Sequence, residues 1–137
     1  MARWLVKSDP DDYAFADLAR DGKTLWDGIT NAAALGHLRR MKPGDDCLVY
    51  ETGGVKAIVG RARVAAAPRA DRRDPKLVAV ELAAGEPVKR PLTLAQVKAD
   101  PAFATWELVR NSRLSVMPVP EPLWERIGRL TDARAEE

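Results

Sequence analysis

This sequence predicts an α+β fold with a curved sheet of five or six mostly antiparallel strands and short helices between them, and three observations lead to it. The first is short runs of period-two alternation, clearest where Ile58, Gly60, Ala62 and Val64 alternate with Val59, Arg61 and Arg63. Turn signals separate such runs, at Lys42-Pro43-Gly44-Asp45, Thr52-Gly53-Gly54 and Gly85-Glu86-Pro87, where proline presets φ and glycine supplies positive φ. Third, the helical segments are short and do not alternate with strands as βαβ units require. Neither glycine-rich signature of the Rossmann and P-loop folds occurs.

The elements follow in order. A first strand spans Arg3–Lys7, with Trp4 and Val6 on one face and Leu5 on the other. Ser8-Asp9-Pro10-Asp11-Asp12 stops it, because proline cannot donate to a ladder, and those acids start a helix over Tyr13–Arg20 that Asp21-Gly22 ends. Thr24-Leu25-Trp26 is a brief extended piece. Thr30 or Asn31 caps a helix over Ala32–Met41, in which Ala34, Leu38 and Met41 share a face. Strands at Asp46–Glu51 and Val55–Ala66 form a hairpin, and the second has one apolar and one basic face. Pro68–Pro75 (PRADRRDP) reads as a polar, mobile, ligand-facing loop. A strand at Lys76–Ala83 turns at Gly85-Glu86-Pro87 toward Val88-Lys89-Arg90. Thr93–Lys98 is a capped helix, Pro101–Leu108 a short segment and Arg113–Val119 a strand. Pro120–Leu130 closes the domain as a helix with Leu123, Ile127 and Leu130 at helical spacing. One domain over residues 1–130 and a polar tail over 131–137 are expected.

A chain of 137 residues supports one core, and 46% apolar with 31% charged residues is globular composition. No apolar run approaches the ~20 residues that span a membrane, and Met1–Lys7 lacks the layout of a signal peptide. A soluble, cytoplasmic protein without membrane association is expected. The single Cys47 excludes an internal disulfide and a thiolate zinc cluster, and the single His37 excludes His-rich metal sites, so no metal or cofactor is expected. A net charge of +2 means that any nucleic-acid contact comes from a local basic patch. Fifteen of the 22 basic residues are arginine, but alanine also numbers 22, which points to biased composition before function.

Catalytic constellations are thin. Cys47 lies in an apolar strand and reads as an inert buried thiol, and His37 reads as a structural mid-helix residue. No Gly-x-Ser-x-Gly elbow occurs, and the acid pairs Asp11/Asp12 and Asp45/Asp46 sit in turns; no catalytic residue is predicted. Among eight aromatic residues, Trp106 and Trp124 read as core. Trp26 differs, since Asp27, Gly28, Thr30 and Asn31 follow it at a strand end. An indole face edged by amide and hydroxyl groups suits a planar heterocycle.

Four ordered blocks carry a resemblance. Trp4-Leu5-Val6-Lys7-Ser8-Asp9-Pro10 resembles W-L-x-K-S-E-P, and Trp26-Asp27-Gly28-Ile29-Thr30-Asn31 resembles W-D-G-V-R-N. Leu38-Arg39-Arg40-Met41-Lys42-Pro43-Gly44-Asp45 resembles L-R-x-M-K-x-G-D, and Ser112–Val119 resembles S-R-L-S-V-Q-P-V. These are blocks of the EVE-domain family, and they span residues 4–119. The resemblance implies a PUA-like bent β-barrel with short peripheral helices. It also implies a non-enzymatic reader of a modified base, modified cytosine such as 5-methylcytosine in DNA, flipped from the duplex into an aromatic pocket.

Carried over by position, Trp26 is the aromatic wall, Lys7 and Ser8 lie at the pocket mouth, and Asn31 offers an amide to the base edge. Arg113 and Ser115 reach phosphate or base, and Tyr50 lines the cavity or packs in the core. Arg39, Arg40, Arg72 and Arg73 are the phosphate-binding candidates, the adjacent pair Arg72/Arg73 foremost, in a positive groove that also draws on Lys7, Arg61, Arg63 and Arg113. The chain departs from the family at Thr30, usually arginine, at Glu51-Thr52, usually His-Ser, and at Met117, usually glutamine. Glu51 near the groove would repel phosphate or accept a cytosine amino proton. Two alternatives stand: an RNA-binding PUA-like module, and a small amidohydrolase acting on an acylated nucleoside through Lys7, Ser8 and Glu51. An unidentified protein partner is a further expectation.

Overall fold

A computed structural model describes residues 2–132. Strands β1 (Arg3–Ser8), β2 (Lys23–Trp26), β3 (Asp46–Glu51), β4 (Ala57–Val64), β6 (Val78–Thr93) and β7 (Val116–Pro118) form one curled half-barrel in the order β2-β6-β4-β3-β1-β7. The two-residue β5 (Arg69–Ala70) pairs with β6 off this path. Helices α1 (Phe15–Asp21), α2 (Ala32–Arg40), α3 (Leu94–Ala99), α4 (Glu107–Arg110) and α5 (Glu121–Asp132) surround it, with a 3-10 turn at Pro101–Phe103. The α+β fold with a curved, mostly antiparallel sheet expected from the sequence is what the chain forms. All pairings are antiparallel except β1 with β3, which run parallel in register from Arg3↔Asp46 to Ser8↔Glu51.

Burial explains the order. β1 and β3 are central strands whose residues Leu5, Val6, Cys47, Leu48 and Val49 are all buried, as strands covered on both faces must be. β4 keeps the expected two-faced pattern: Ile58, Gly60, Ala62 and Val64 are buried, while Val59, Arg61 and Arg63 are not. Gly60 is required by packing, because a Cβ there would lie 2.3 Å from the Phe15 ring. Helix α1 thereby sits directly on the sheet. The N-terminus and the turn before β3 meet at buried Asp45, whose carboxylate accepts from Trp4 Nε1 (3.0 Å), Ala2 N (3.2 Å) and Lys42 N (2.9 Å).

Several expectations are corrected. Gly85-Glu86-Pro87 is no turn; the chain runs through it as one 16-residue strand, β6. β4 pairs with both halves, Ala62↔Ala84 and Gly60↔Pro87, so residues 85–86 oppose Arg61 alone and form a bulge. Gly85 permits it, since a Cβ there would meet the Arg61 carbonyl oxygen at 2.8 Å. Helix α1 is not started by Asp11 and Asp12. Asp17 accepts from Ala14 N at 2.8 Å and Glu51 from Phe15 N at 2.7 Å, while Asp9 organises the preceding turn through Asp11 N at 2.9 Å.

The Pro68–Pro75 segment is a hairpin arm built on β5, with Asp71 buried. Trp106 is core, its Nε1 donating to Pro118 O at 3.1 Å, but Trp124 is only partly buried. Of the tail expected at 131–137, Thr131 and Asp132 belong to α5, with Thr131 fully buried, and residues 133–137 lie outside the described residues. Among the described residues no helix is long and apolar enough to cross a membrane.

Candidate functional site

The parallel register of β1 and β3 sets Lys7 beside Tyr50 and Ser8 beside Glu51. Lys7 Nζ lies 5.6 Å from the Tyr50 ring centroid and donates to Ser112 O at 3.0 Å, and Lys7 N donates to Ser115 O at 2.9 Å. Four of the expected base-binding residues, Lys7, Tyr50, Arg113 and Ser115, are thus gathered where β1 and β3 meet the segment entering β7. Burial holds the Lys7 ammonium below its ordinary value and pushes the Tyr50 phenol above its own. Tyr50 is therefore a neutral ring under a partly desolvated cation. Arg113 is exposed, with no hydrogen-bond or ion-pair partner among the described residues, and Ser115 is half-buried.

Ser8 and Glu51 turn elsewhere. The Ser8 hydroxyl donates to Tyr13 O, and Glu51 accepts from Phe15 N at 2.7 Å as an anchor of α1. Glu51 is buried and committed to the backbone, so the expectation that it would repel phosphate or read a cytosine amino group from the groove is corrected.

A second cluster forms around Trp26. The indole ends edge strand β2 and is buried in the core at 8% exposure. Gly28, at φ 74°, donates its N–H to Asp71 Oδ2 at 3.0 Å, and Arg73 N donates to Asp71 Oδ1 at 2.8 Å. These two N–H donors, Gly28 first, hold the Asp71 carboxyl below the usual carboxylate range. The Arg73 guanidinium reaches Asp27 at 3.2 Å and lies so close over Gly28 that a Cβ there would sit 2.8 Å from it. One buried carboxylate therefore joins the turn after Trp26 to the loop carrying Arg72 and Arg73. Its trace in the sequence is an Asp two residues before Arg73, the spacing of an Asx turn; its long-range partner Gly28 left none.

Asn31 caps α2, its side-chain oxygen accepting from Ala34 N at 3.0 Å, so that oxygen is already used. Arg40 bonds His37 Nδ1 at 2.7 Å within its own helix, and Arg39 reaches Lys76 O at 3.4 Å. Arg72 is exposed, makes no hydrogen bond or ion pair among the described residues, and adds its charge to the field that lowers the Asp71 carboxyl. No hydrogen bond or ring contact among the described residues links the Lys7–Tyr50 cluster to the Trp26 cluster.

A cleft of about 640 Å³ lies between β4, β6 and α5, lined by Arg61, Arg63, Lys89, Glu86, Trp124 and Asp132 among others. There Arg61 pairs with Asp132 and Arg63 with Asp46, and Arg3 stacks over Trp124 at 4.8 Å. Of the residues expected to form a positive groove only Arg61 and Arg63 line it, each paired with an acid. Among the described residues no group of His, Cys, Asp and Glu could hold a metal. The Cys47 thiol is fully buried and pushed far up by that burial, with Asp45 and Asp46 adding to it.

Residues 2–130 match the model of the EVE domain. A protein from Rhodopseudomonas palustris is 36% identical, with a TM-score of 0.91 over 96% of this chain and 93% of that one. One from Agrobacterium tumefaciens is 30% identical, with a TM-score of 0.93 over 98% of this chain and 96% of that one. Human THYN1, in complex with 5-methylcytosine-containing DNA, shares the fold at 22% identity and a TM-score of 0.88, over 98% of this chain and 99% of that one. No curated protein matches the chain.

Proposed function

Because this chain belongs to the EVE-domain family, we propose that it is a cytoplasmic, non-enzymatic module that recognises a modified base, modified cytosine in DNA, flipped from the duplex. The observation that carries this reading is the shared fold with a human protein bound to 5-methylcytosine-containing DNA. Flipping costs a few kcal/mol, and stacking on an aromatic face returns roughly 1–3 kcal/mol per base. In this proposal Trp26 and Tyr50 supply the aromatic faces. Lys7, Asn31, Arg113 and Ser115 supply edge and phosphate contacts, with Arg39, Arg40, Arg72 and Arg73 along the backbone; the Ser8 hydroxyl, bonded to Tyr13 O, is spent on the fold. Arg113 is the donor best disposed, being exposed and unengaged.

The amidohydrolase alternative is less well supported. Lys7, Ser8 and Glu51 each bond a backbone group (Ser112 O, Tyr13 O and Phe15 N), and none bonds another of the three.

The test is titration with matched duplexes carrying cytosine, 5-methylcytosine or 5-hydroxymethylcytosine at one position. Preference for a modified base, lost in Trp26→Ala, is expected. Since Trp26 is buried, Arg113→Ala is measured beside it; this exposed substitution keeps the fold and weakens binding about tenfold. Equal affinity for all three duplexes overturns the modified-base reading.

A further inference from the structure

A second cleft, of about 400 Å³, opens between the end of α2 and the β5–β6 hairpin. Arg39 contributes from α2, Arg69 and Lys76 come from the two arms of the hairpin, and Pro68, Pro75 and Leu77 supply apolar walls. The hairpin is firmly pinned: Arg69 pairs with Ala79, Asp71 N donates to Leu77 O at 2.9 Å, and Leu77 N donates to Asp74 O at 2.9 Å. Arg39 Nη2 bridges to Lys76 O at 3.4 Å.

The electrostatics set this cleft apart from the larger one. In the larger cleft Arg61 and Arg63 are neutralised by Asp132 and Asp46. Here three cations line the space, no acid lines it, and all three side chains are exposed without an ion pair among the described residues. The nearby acids are engaged: Asp71 with Gly28 N and Arg73 N, Asp74 with Lys76 N at 2.9 Å. Three like charges held together without a counter-charge repel one another, and an anion in the cleft relieves that cost. The guanidinium forks of Arg39 and Arg69 match phosphate oxygens in geometry as well as charge.

We infer that this cleft seats the phosphodiester backbone of a nucleic acid, with Arg69 and Lys76, neither singled out by sequence motifs, as phosphate ligands beside Arg39. The inference rests on the nucleic-acid reading of the chain but not on which base is read. Phosphate contacts carry no base information, so the cleft supplies affinity and register while the base site supplies selectivity.

The test measures the salt dependence of binding to two duplexes, one with and one without a single 5-methylcytosine, for wild type, Arg69→Ala/Lys76→Ala and a control Arg129→Ala at an exposed position of α5. Each lost phosphate contact lowers the slope of log K against log salt by about 0.9, so the double variant should lose about 1.8. It should weaken on both duplexes by the same factor, about tenfold or more at low salt, while Arg129→Ala keeps the wild-type slope. An unchanged slope in the double variant, or an equal change in the control, overturns the cleft and leaves the modified-base reading standing. Equal wild-type affinity for the two duplexes with a reduced slope in the double variant does the reverse. Absence of duplex binding by the wild type overturns both.

Discussion

The two clusters that hold the candidate site residues are built on different principles. Lys7 and Tyr50 stand on β1 and β3, in the middle of the sheet, and their spacing follows from a six-residue parallel register. The Trp26 turn instead meets the loop bearing Arg72 and Arg73 through one buried carboxylate, Asp71. The first arrangement is over-determined: β1, β3, β4 and the packing of Phe15 on Gly60 would all have to shift to move it. The second depends on a few bonds at a hairpin tip. The strand-borne pair is thus fixed by the sheet itself, and the Trp26 turn is fixed to the arginine-bearing hairpin through one side chain.

Three perturbations test that contrast. The largest effect is expected from Gly60→Ala, whose Cβ would overlap the Phe15 ring. Overpacking of this kind should cost about 3 kcal/mol in urea unfolding. A cost under about 0.5 kcal/mol would show that the strand-borne cluster is far more yielding than its geometry implies.

Next in size is acid release of the loop. The Asp71 carboxyl is held below its ordinary value by Gly28 N and Arg73 N. Because the folded pKa is the lower one, the anchor's contribution is present above the unfolded value, near 3.9, and is lost as pH falls through the folded value. Protection of the Gly28 and Arg73 amides, taken against the intrinsic exchange rate at each pH, should therefore fall below that value, with that of Lys7 and Tyr50 unaffected. In Asp71→Asn that protection should be low at every pH. Matched loss of protection in both clusters would erase the distinction between them.

The smallest effect belongs to Arg73→Ala. Its pair with Asp27 involves a side chain 68% exposed, so thermal stability should change by about 0.5 kcal/mol or less. A larger loss would mean that the Arg73 side chain, and not Asp71, holds the loop.

Local chemistry made much of this legible. β3 was expected over Asp46–Glu51 and occupies those residues, and the two faces of β4 follow from period-two alternation alone. Asn31 caps α2, and Thr93 with Gln96 caps α3, as side-chain chemistry requires. What escaped is non-local. Gly85-Glu86-Pro87 has turn composition, yet pairing with β4 on both sides makes it a bulge in a longer strand. Alternation has no direction, so the parallel pairing of β1 with β3, and with it the meeting of Lys7 and Tyr50, was invisible. The same holds for the site. Its residues were named from blocks, but which blocks touch depended on Asp71 and on the β1–β3 register. Arg69 and Lys76 carry no motif and become notable only when a hairpin brings them opposite Arg39.

The position of β1 also sets a schedule. Its fully buried Leu5 and Val6 sit between β3 and β7, so this strand waits for one made much later. At 5–20 residues per second, the roughly 110 residues separating them take about 6 to 22 s to emerge. Until Val116–Pro118 is made, the edge of β1 that pairs with β7 has no partner in this sheet, the kind of unpaired apolar edge on which strands mispair.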